Sequence, residues 1–541
     1  MSSYLSLSKR LLSRGLLLAL MLTTSMVMVA SAQEPVVGGT FRVAIPSVTS
    51  LDPLVIADDA SFNVASQVYS SLVRSSINEE GVIEPIPDLA ESWEYEEDGK
   101  VVIFHLRQGV TFHDGNAVFA EGEGREVVAD DVVYSIERTL NTEGSTAALP
   151  DLVASFVSVE AVDDYTVKLT LNQPNALLFS GGRGLSATVI YPHEAVEQLG
   201  EELANTPIGS GPFEFVEYVP DDHVTLQRNE DYWIQPNLDE VIFQIIPEDS
   251  VALIALEAGE VDMILNTPEQ DISRLREDAN YTLRGGICPV ADQFIFPLTT
   301  PPFDDVNVRH ALAIAVDGNA ISRAINPETH IDGCGAAGPG VTGYDPDMCT
   351  KYFTYDPEQA VAMLNEAGYT DSDGDGVLDK DGTPLTVEIE VWSEYNQARY
   401  GEAVATQLRD IGVNVDLQVV EFGTAIDDFI AGVPKLQSMF GFCGEGGTTG
   451  LWGTDGFATA MGSDQFPDAQ ALLTESNTMV DRDERDAAVR DAANQLYSQY
   501  VSIPVGFTQS FFATSSKVQD FGGVLWWFNI VTETNNTWIS E

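Results

Sequence analysis

The run Asp371-Ser-Asp-Gly-Asp-Gly-Val-Leu-Asp379 sets carboxylates along a tight loop. Asp371, Asp373, Asp375 and Asp379 stand where a calcium loop places its first, third, fifth and ninth ligands. Gly376 falls at the sharp turn, and the carbonyl of Val377 falls at the seventh position. Carboxylates this close repel one another unless a hard cation or water lies between them. The twelfth position is Gly382, where such a loop uses a bidentate Glu. Two readings stay open: a calcium site, or a solvated turn between a helix and a strand.

Other chemistries are poorly served. His105, His113, His193, His223, His310 and His330 never fall at H-x-x-x-H or H-E-x-x-H spacing, so they form no zinc-protease pattern. No G-x-S-x-G elbow occurs, and carboxylates are too abundant for one pair to stand out as an acid and a base. Pro207-Ile-Gly-Ser-Gly-Pro-Phe213 is rich in glycine, but no Lys-Ser/Thr follows, and the residues beyond it read as a strand. It is a turn rather than a phosphate loop.

Charge narrows the partners. The 541 residues hold 26 Lys+Arg against 84 Asp+Glu, a net charge of −58. Such a surface repels nucleic acid and anionic lipid. It fits a solvated surface with no specific role, and equally a saline habitat. Residues 1–32 read as a signal peptide: Lys9, Arg10 and Arg14 form a basic start, Gly15 to Val29 is mostly apolar, and Ala30-Ser31-Ala32 is a cleavage site. Losing its three basic residues takes the net charge to −61. No Cys follows the cleavage site to carry a lipid anchor. No later apolar run reaches the ~18 residues a span needs. An exported, soluble product is expected. In an oxidising compartment four cysteines allow two disulfides. Cys334 and Cys349 flank a Gly/Pro-rich loop and are the favoured pair, leaving Cys288 with Cys443.

The elements that must position any site come next. Trp93 and Tyr95 on one strand and Val102, Phe104 and Leu106 on the next predict a hairpin turning at Asp98-Gly99. A helix is expected over Asp59 to Val73, and another over Asp131 to Leu140 capped by Asp130, because Val128 carries no acceptor. Residues 157–171 read as a hairpin turning at Asp163-Asp164, and Ile503 to Phe512 as one strand. Strand–helix–strand order from Ile242 to Leu265 points to α/β packing. Further helices are expected after Asp304-Asp305, after Asp356-Pro357, before Gly412, and twice within Asp468 to Tyr500.

Several separated strings then carry a resemblance. They are Gly39-Thr-Phe-Arg42, Leu51-Asp-Pro53, Glu91-Ser-Trp93 and Phe104-His-Leu-Arg-Gln-Gly-Val-Thr-Phe-His-Asp-Gly115, followed by Leu226 to Trp233 and Pro301 to Asp317. Together they resemble the extracellular solute-binding proteins of family 5, the dipeptide, oligopeptide and nickel receptors of ABC importers. Asn116 to Val127 departs from the family as a surface insertion.

The resemblance implies an α/β bilobal periplasmic-binding-protein fold (type II, the large three-domain subclass). Residues 33–62, 207–286 and 507–541 would form lobe I, 63–206 a subdomain attached to it, and 287–506 lobe II, hinged near Gly285 and Gly506. It implies a monomeric receptor without catalytic residues, a peptide or other small-molecule ligand, and a membrane-embedded ABC permease as partner. The family's peptide receptors carry an Asp for the peptide's amino terminus within the stretch matching Phe440 to Phe457. Its Asp-Pro-Asp string is missing here, which leaves Glu445 or Asp455 for that work. Phe294, Trp392, Tyr395 and Trp452 are candidate liners of the pocket, or residues of the core. A sugar or metal-chelate receptor, a secreted hydrolase and a calcium-dependent surface protein are the alternatives. No cofactor is required, and calcium at the Asp371 loop stays one of the two open readings of that run.

Overall fold

A computed structural model describes residues 34–540 except 57, 78–82, 143–144, 146–154, 180–183, 286–288, 394–395, 442–445, 455 and 525–526. The expected signal peptide and the Cys288–Cys443 pair lie outside the described residues. Strand β1 (Thr40–Ile45) leads into helix α1 (Asp59–Val68), whose first turn is capped by Asp58, with its carboxylate accepting from the Ser61 amide at 2.8 Å. The helix stops five residues short of the expected Val73. Tyr69 is already extended, and Ser70-Ser71 pairs with Val189-Ile190. The apolar residues beyond Tyr69 fit a strand as well as a helix, and the strand partner decides.

Strands β2 (Ala90–Glu96) and β3 (Val101–Leu106) form the expected hairpin. Its turn is not the expected two-residue one: Glu97, Asp98 and Gly99 all take positive φ in a longer loop. Helix α2 (Ala129–Asn141) starts at Val128, with no side-chain cap. Asp130 does not serve. Asp131 reaches back to the Val128 amide at 3.0 Å, half of a capping box. Arg125 clamps that carboxylate at 2.6 Å and Glu194 at 2.6 Å.

Strands β4 (Phe156–Asp163) and β5 (Thr166–Leu171) follow, then β6 (Phe213–Val219), β7 (His223–Arg228) and β8 (Glu240–Ile245). The glycines before β6 serve close approach. A Cβ on Gly209 would lie 2.3 Å from the Val68 carbonyl oxygen, at the end of α1. Helix α3 (Asp249–Ala258) ends at left-handed Gly259. Beyond it come β9 (Met263–Ile264), α4 (Glu269–Glu277), β10 (Tyr281–Gly285) and β11 (Val290–Ile295). Asp305 caps α5 (Val306–Ile314) and Asp317 caps α6 (Gly318–Ile325). The chain continues through β12 (His330–Ile331), α7 (Pro357–Glu366), β13 (Thr386–Trp392), α8 (Gln397–Asp410), β14 (Asn414–Val420), α9 (Phe422–Ile430) and β15 (Leu436–Phe440). It closes with α10 (Gly447–Trp452), α11 (Pro467–Ser476), α12 (Arg482–Tyr497), β16 (Ser502–Thr508) and β17 (Phe511–Ser515).

Among the described residues three sheets have four strands or more. One orders its strands β6-β7-β8-β1-β9-β17-β10, a second β12-β16-β11-β15-β13-β14, and a third β2-β3-β5-β4. Each has its own apolar core. Phe41, Val64, Tyr69, Phe213 and Phe243 fill the first; Phe294, Val391, Tyr400, Trp452 and Tyr497 the second; Leu72, Phe104, Phe112 and Leu169 the third. A buried ion pair ties the third body to the first. Arg74 and Asp88 are 5% and 2% exposed, with Nε 3.0 Å from Oδ2. Arg74 also donates to the Ser66 and Tyr69 carbonyls and to Asn529, and Asp88 accepts from the Ser71 amide and the Tyr232 hydroxyl. Cys334 and Cys349 are bonded, as expected. No described helix is long and apolar enough to cross a membrane.

Candidate ligand-binding site

The first and second sheets are joined by two passages of chain. β10 leaves the first sheet, and the chain enters the second as β11. β16 leaves the second, and the chain re-enters the first as β17. The single strand expected over Ile503 to Phe512 is therefore two strands in two sheets, broken at Gln509-Ser510. Apolar Ile503, Val505 and Phe507 are followed in step by Phe511, with only Gln509 out of series between them, so periodicity reads the two strands as one. The paired passages bring Gly285 against its neighbour: a Cβ there would lie 2.2 Å from the Ser510 oxygen.

In the second sheet β13 runs parallel to β14 and to β15. Ligands of open α/β sheets sit beyond the carboxyl ends of such strands. Trp392 ends β13 and Phe440 ends β15. Their rings meet edge to face at 5.9 Å, with Phe422 stacked on Phe440. Asp292, two residues into β11, pairs with Phe440 on one side and Gly506 on the other. It is 6% exposed. Its carboxylate accepts from Gln397 Nε2 at 2.8 Å and from the Thr508 hydroxyl at 3.1 Å. Among the described residues no cation lies within ion-pair distance of it. Burial pushes its pKa up to about 6, against the pull of the Gln397 and Thr508 hydrogen bonds. A buried carboxylate with no ion partner and a perturbed pKa, level with the carboxyl ends of β13 and β15, makes this place the candidate site. Sequence reasoning missed it, because nothing in Val290-Ala-Asp-Gln293 marks the Asp as buried.

A hydrogen-bonded line lies beside it. Asn396 donates to Asn326 at 2.8 Å, and Asn326 donates to the Tyr400 hydroxyl. Ser322 Oγ lies 3.3 Å from that hydroxyl and 2.9 Å from His330 Nδ1, and His330 Nε2 lies 2.7 Å from Asp332. Ser–His–Asp order invites a nucleophilic reading. Ser322 is 0% exposed, so no substrate carbonyl reaches its oxygen.

The expected liners fare differently. Phe294 and Trp452 are buried in the second core, and Trp452 Nε1 donates to the Tyr497 hydroxyl at 3.3 Å. In this conformation they present no surface to a ligand and act in packing. Trp392 is also buried, yet its Nε1 has no hydrogen-bond partner among the described residues, and it keeps its place at the strand end. Tyr395, Glu445 and Asp455 lie outside the described residues.

The Asp371 loop is folded on its own amides. Asp371 accepts from Gly374 at 2.7 Å and from Gly376 at 3.2 Å, and Asp375 accepts from Val377 at 2.8 Å. Asp371, Asp373 and Asp375 each offer an oxygen within 4.8 Å of the others. Asp379 points elsewhere, bonded to the Ser372 hydroxyl at 2.6 Å and to the Gly382 amide. A recess of about 590 Å³ opens on the third sheet, lined by Glu91, His105, Gln108, Asp163 and Asp164. It takes no residue from the other two sheets, so it is not the space between them.

The profile of the bacterial extracellular solute-binding proteins, family 5 (middle), matches residues 84–465. Heme-binding protein A of Haemophilus influenzae is 28% identical over 502 residues, 87% of each chain. The dipeptide-binding protein of Escherichia coli is 30% identical over 417 residues, 73% of this chain and 74% of its own. HbpA2 of Haemophilus parasuis superposes with a TM-score of 0.78 at 27% identity, over 93% of this chain and 100% of that one. DppA of Helicobacter pylori, solved with the peptide STSA, shares the fold at a TM-score of 0.70 and 23% identity, over 93% of this chain and 99% of its own. The chain belongs to the bacterial extracellular solute-binding proteins of family 5, and its fold is that of the periplasmic binding proteins.

Proposed function

We propose that this chain captures a short peptide between its first and second sheets and hands it, unaltered, to the permease of an ABC importer. The observation that carries the reading is the double passage. Two bodies between which the chain crosses at neighbouring strands open and close about those crossings, and closure takes the ligand's polar groups out of water. The second lobe is the body of the six-stranded sheet. The first is the body of the seven-stranded sheet, with the four-stranded body attached through Arg74 and Asp88. A peptide is favoured by the dipeptide- and oligopeptide-binding relatives and by Asp292, whose uncompensated charge suits an ammonium group. By residue type Glu445 and Asp455 are further acids for that group and Tyr395 a further aromatic, while Trp392, buried like Phe294, backs the strand end from inside.

Thermal shift tests the reading. A ligand at 100 times its Kd adds about 2.7 kcal/mol to stability by mass action. Alanyl-alanine and trialanine should raise the melting temperature, and the recovered peptide should be intact. Haemin, nickel–histidine and a disaccharide are the competing probes. A rise with one of these and none with peptides would replace the peptide. Peptide consumed over time would replace the receptor by a hydrolase. For the Asp371 loop we propose a separate calcium site built on Asp371, Asp373 and Asp375, with the Val377 carbonyl as its fourth donor.

A further inference from the structure

We propose that the segment 172–178, which follows β5 in the four-stranded body, is a clasp that closes onto the second lobe and holds the two bodies together with no ligand taking part. Three contacts carry it. The Ala176 amide donates to the Asn477 carbonyl at 2.7 Å, a backbone bond between chain positions far apart, at the C-terminal end of α11. The Leu177 side chain lies against Gly446, just before α10, where a Cβ would stand 3.0 Å from Leu177 Cδ1. Val480 packs beside Gly99 and Pro174: a Cβ on Gly99 would meet Val480 Cγ2 and Pro174 Cβ, each at 3.3 Å.

Electrostatics agree with this placement. Burial pushes the Tyr95 phenol up to about 12, and the Arg485 charge on α12 pulls the other way across the same junction. Both sides are shaped before they meet. Asn175 accepts from the Leu177 amide at 2.9 Å and donates to Ser155 at 2.9 Å, which fixes the segment. Arg485 donates to the Met479 carbonyl at 2.8 Å and to the Val480 carbonyl at 3.3 Å, which fixes the loop beyond α11. Both partners in each contact belong to this chain. Closure therefore has a part that the ligand does not supply, which favours the closed form whether or not a ligand is bound. Ligand release must break the clasp as well as the ligand's own contacts.

The clasp lies apart in sequence from both passages between the sheets, so it can be weakened without touching them. The receptor reading supplies only the direction in which the bodies part, and the scattering measurement uses no ligand. Leu177→Asp sets a charge against the chain at Gly446 and should cut the closed-to-open ratio about tenfold or more, since a lost contact of this kind is of that order. Small-angle scattering of the ligand-free full chain should show a compact wild type and a larger radius of gyration for Leu177→Asp, with Leu177→Met returned to the wild-type value. Val480→Ser, at a residue 45% exposed, is the second variant and should expand the molecule in the same sense while leaving its circular dichroism unchanged. Equal radii for wild type and both variants would overturn the clasp. Equal scattering with intact peptide binding would leave the receptor reading standing without it.

Discussion

Asp292→Asn should make the protein more stable at neutral pH, against the ordinary expectation for a buried, hydrogen-bonded residue. The carboxyl titrates at about 6 in the folded chain and near 3.9 when unfolded. A gap of about two units corresponds to roughly 3 kcal/mol. The sign follows from proton counting. Between pH 4 and 6 the folded state holds the proton and the unfolded state has lost it, so stability falls as pH rises through that window. The full penalty is present above pH 6 and absent below pH 4. Asparagine has the same shape and no charge. The Gln397 amide and the Thr508 hydroxyl can each turn to meet it. Urea unfolding followed by tryptophan fluorescence reports on this lobe, because Trp392 and Trp452 lie in it. The variant should gain about 3 kcal/mol at pH 7.5 and nothing at pH 3.8, and it should bind trialanine more weakly than wild type. Loss of stability at pH 7.5, or a gain that does not change with pH, would refute the argument. Stability given up to hold a charge where a ligand docks is the usual cost of a binding site.

Four further outcomes follow from the same geometry. Arg74→Met strands the Asp88 carboxylate in the interior and should cost about 3–5 kcal/mol in thermal or urea unfolding, whereas exposed pairs such as Arg274–Glu257 should cost under ~1 kcal/mol. Gly285→Ala drives a Cβ to within 2.2 Å of the Ser510 oxygen and should lower the melting temperature or abolish folding; an unchanged melting temperature would remove the close approach from the hinge argument. Calcium should raise the melting temperature and EDTA reverse it, with the effect lost in Asp371→Asn/Asp373→Asn; indifference to both leaves the Asp371 loop a turn held by its own amides. With a net charge of −58, stability should climb between 0.01 and 1 M NaCl, as the Debye length falls from about 30 to 3 Å, and far less in sucrose.

Much of the scaffold was legible because it rests on local chemistry. Asp356-Pro357 opens a helix and Gly412 closes one, since a carboxylate cap, a fixed φ and a left-handed glycine act within a few residues. The β2–β3 and β4–β5 hairpins follow from alternation. Misreadings occur where a distant partner decides between two local fits. Tyr69 leaves the helix because Ser70-Ser71 finds Val189-Ile190, and Asp131, not Asp130, serves the α2 start because it reaches back to the Val128 amide while Arg125 holds it. The break at Gln509-Ser510 was invisible because both flanking strands are apolar, though they belong to different sheets.

The site is harder to read for a related reason. An aromatic residue looks the same in a string whether it lines a pocket or fills a core, and Phe294 and Trp452 fill a core. A carboxylate is informative only when buried, and burial is decided by what surrounds it. In a chain with 84 acidic residues, Asp292 stands out only once Gln397, Thr508 and Phe440 have closed around it from three separate strands and helices. The same reasoning sets its role apart from that of the surface acids. They are solvated and screened, whereas Asp292 sits in a low-dielectric wall with no cation beside it among the described residues. An arriving ammonium would find its strongest single interaction there. Ligand affinity should therefore depend on Asp292 and hardly on ionic strength, while stability should depend on ionic strength and gain from the loss of Asp292.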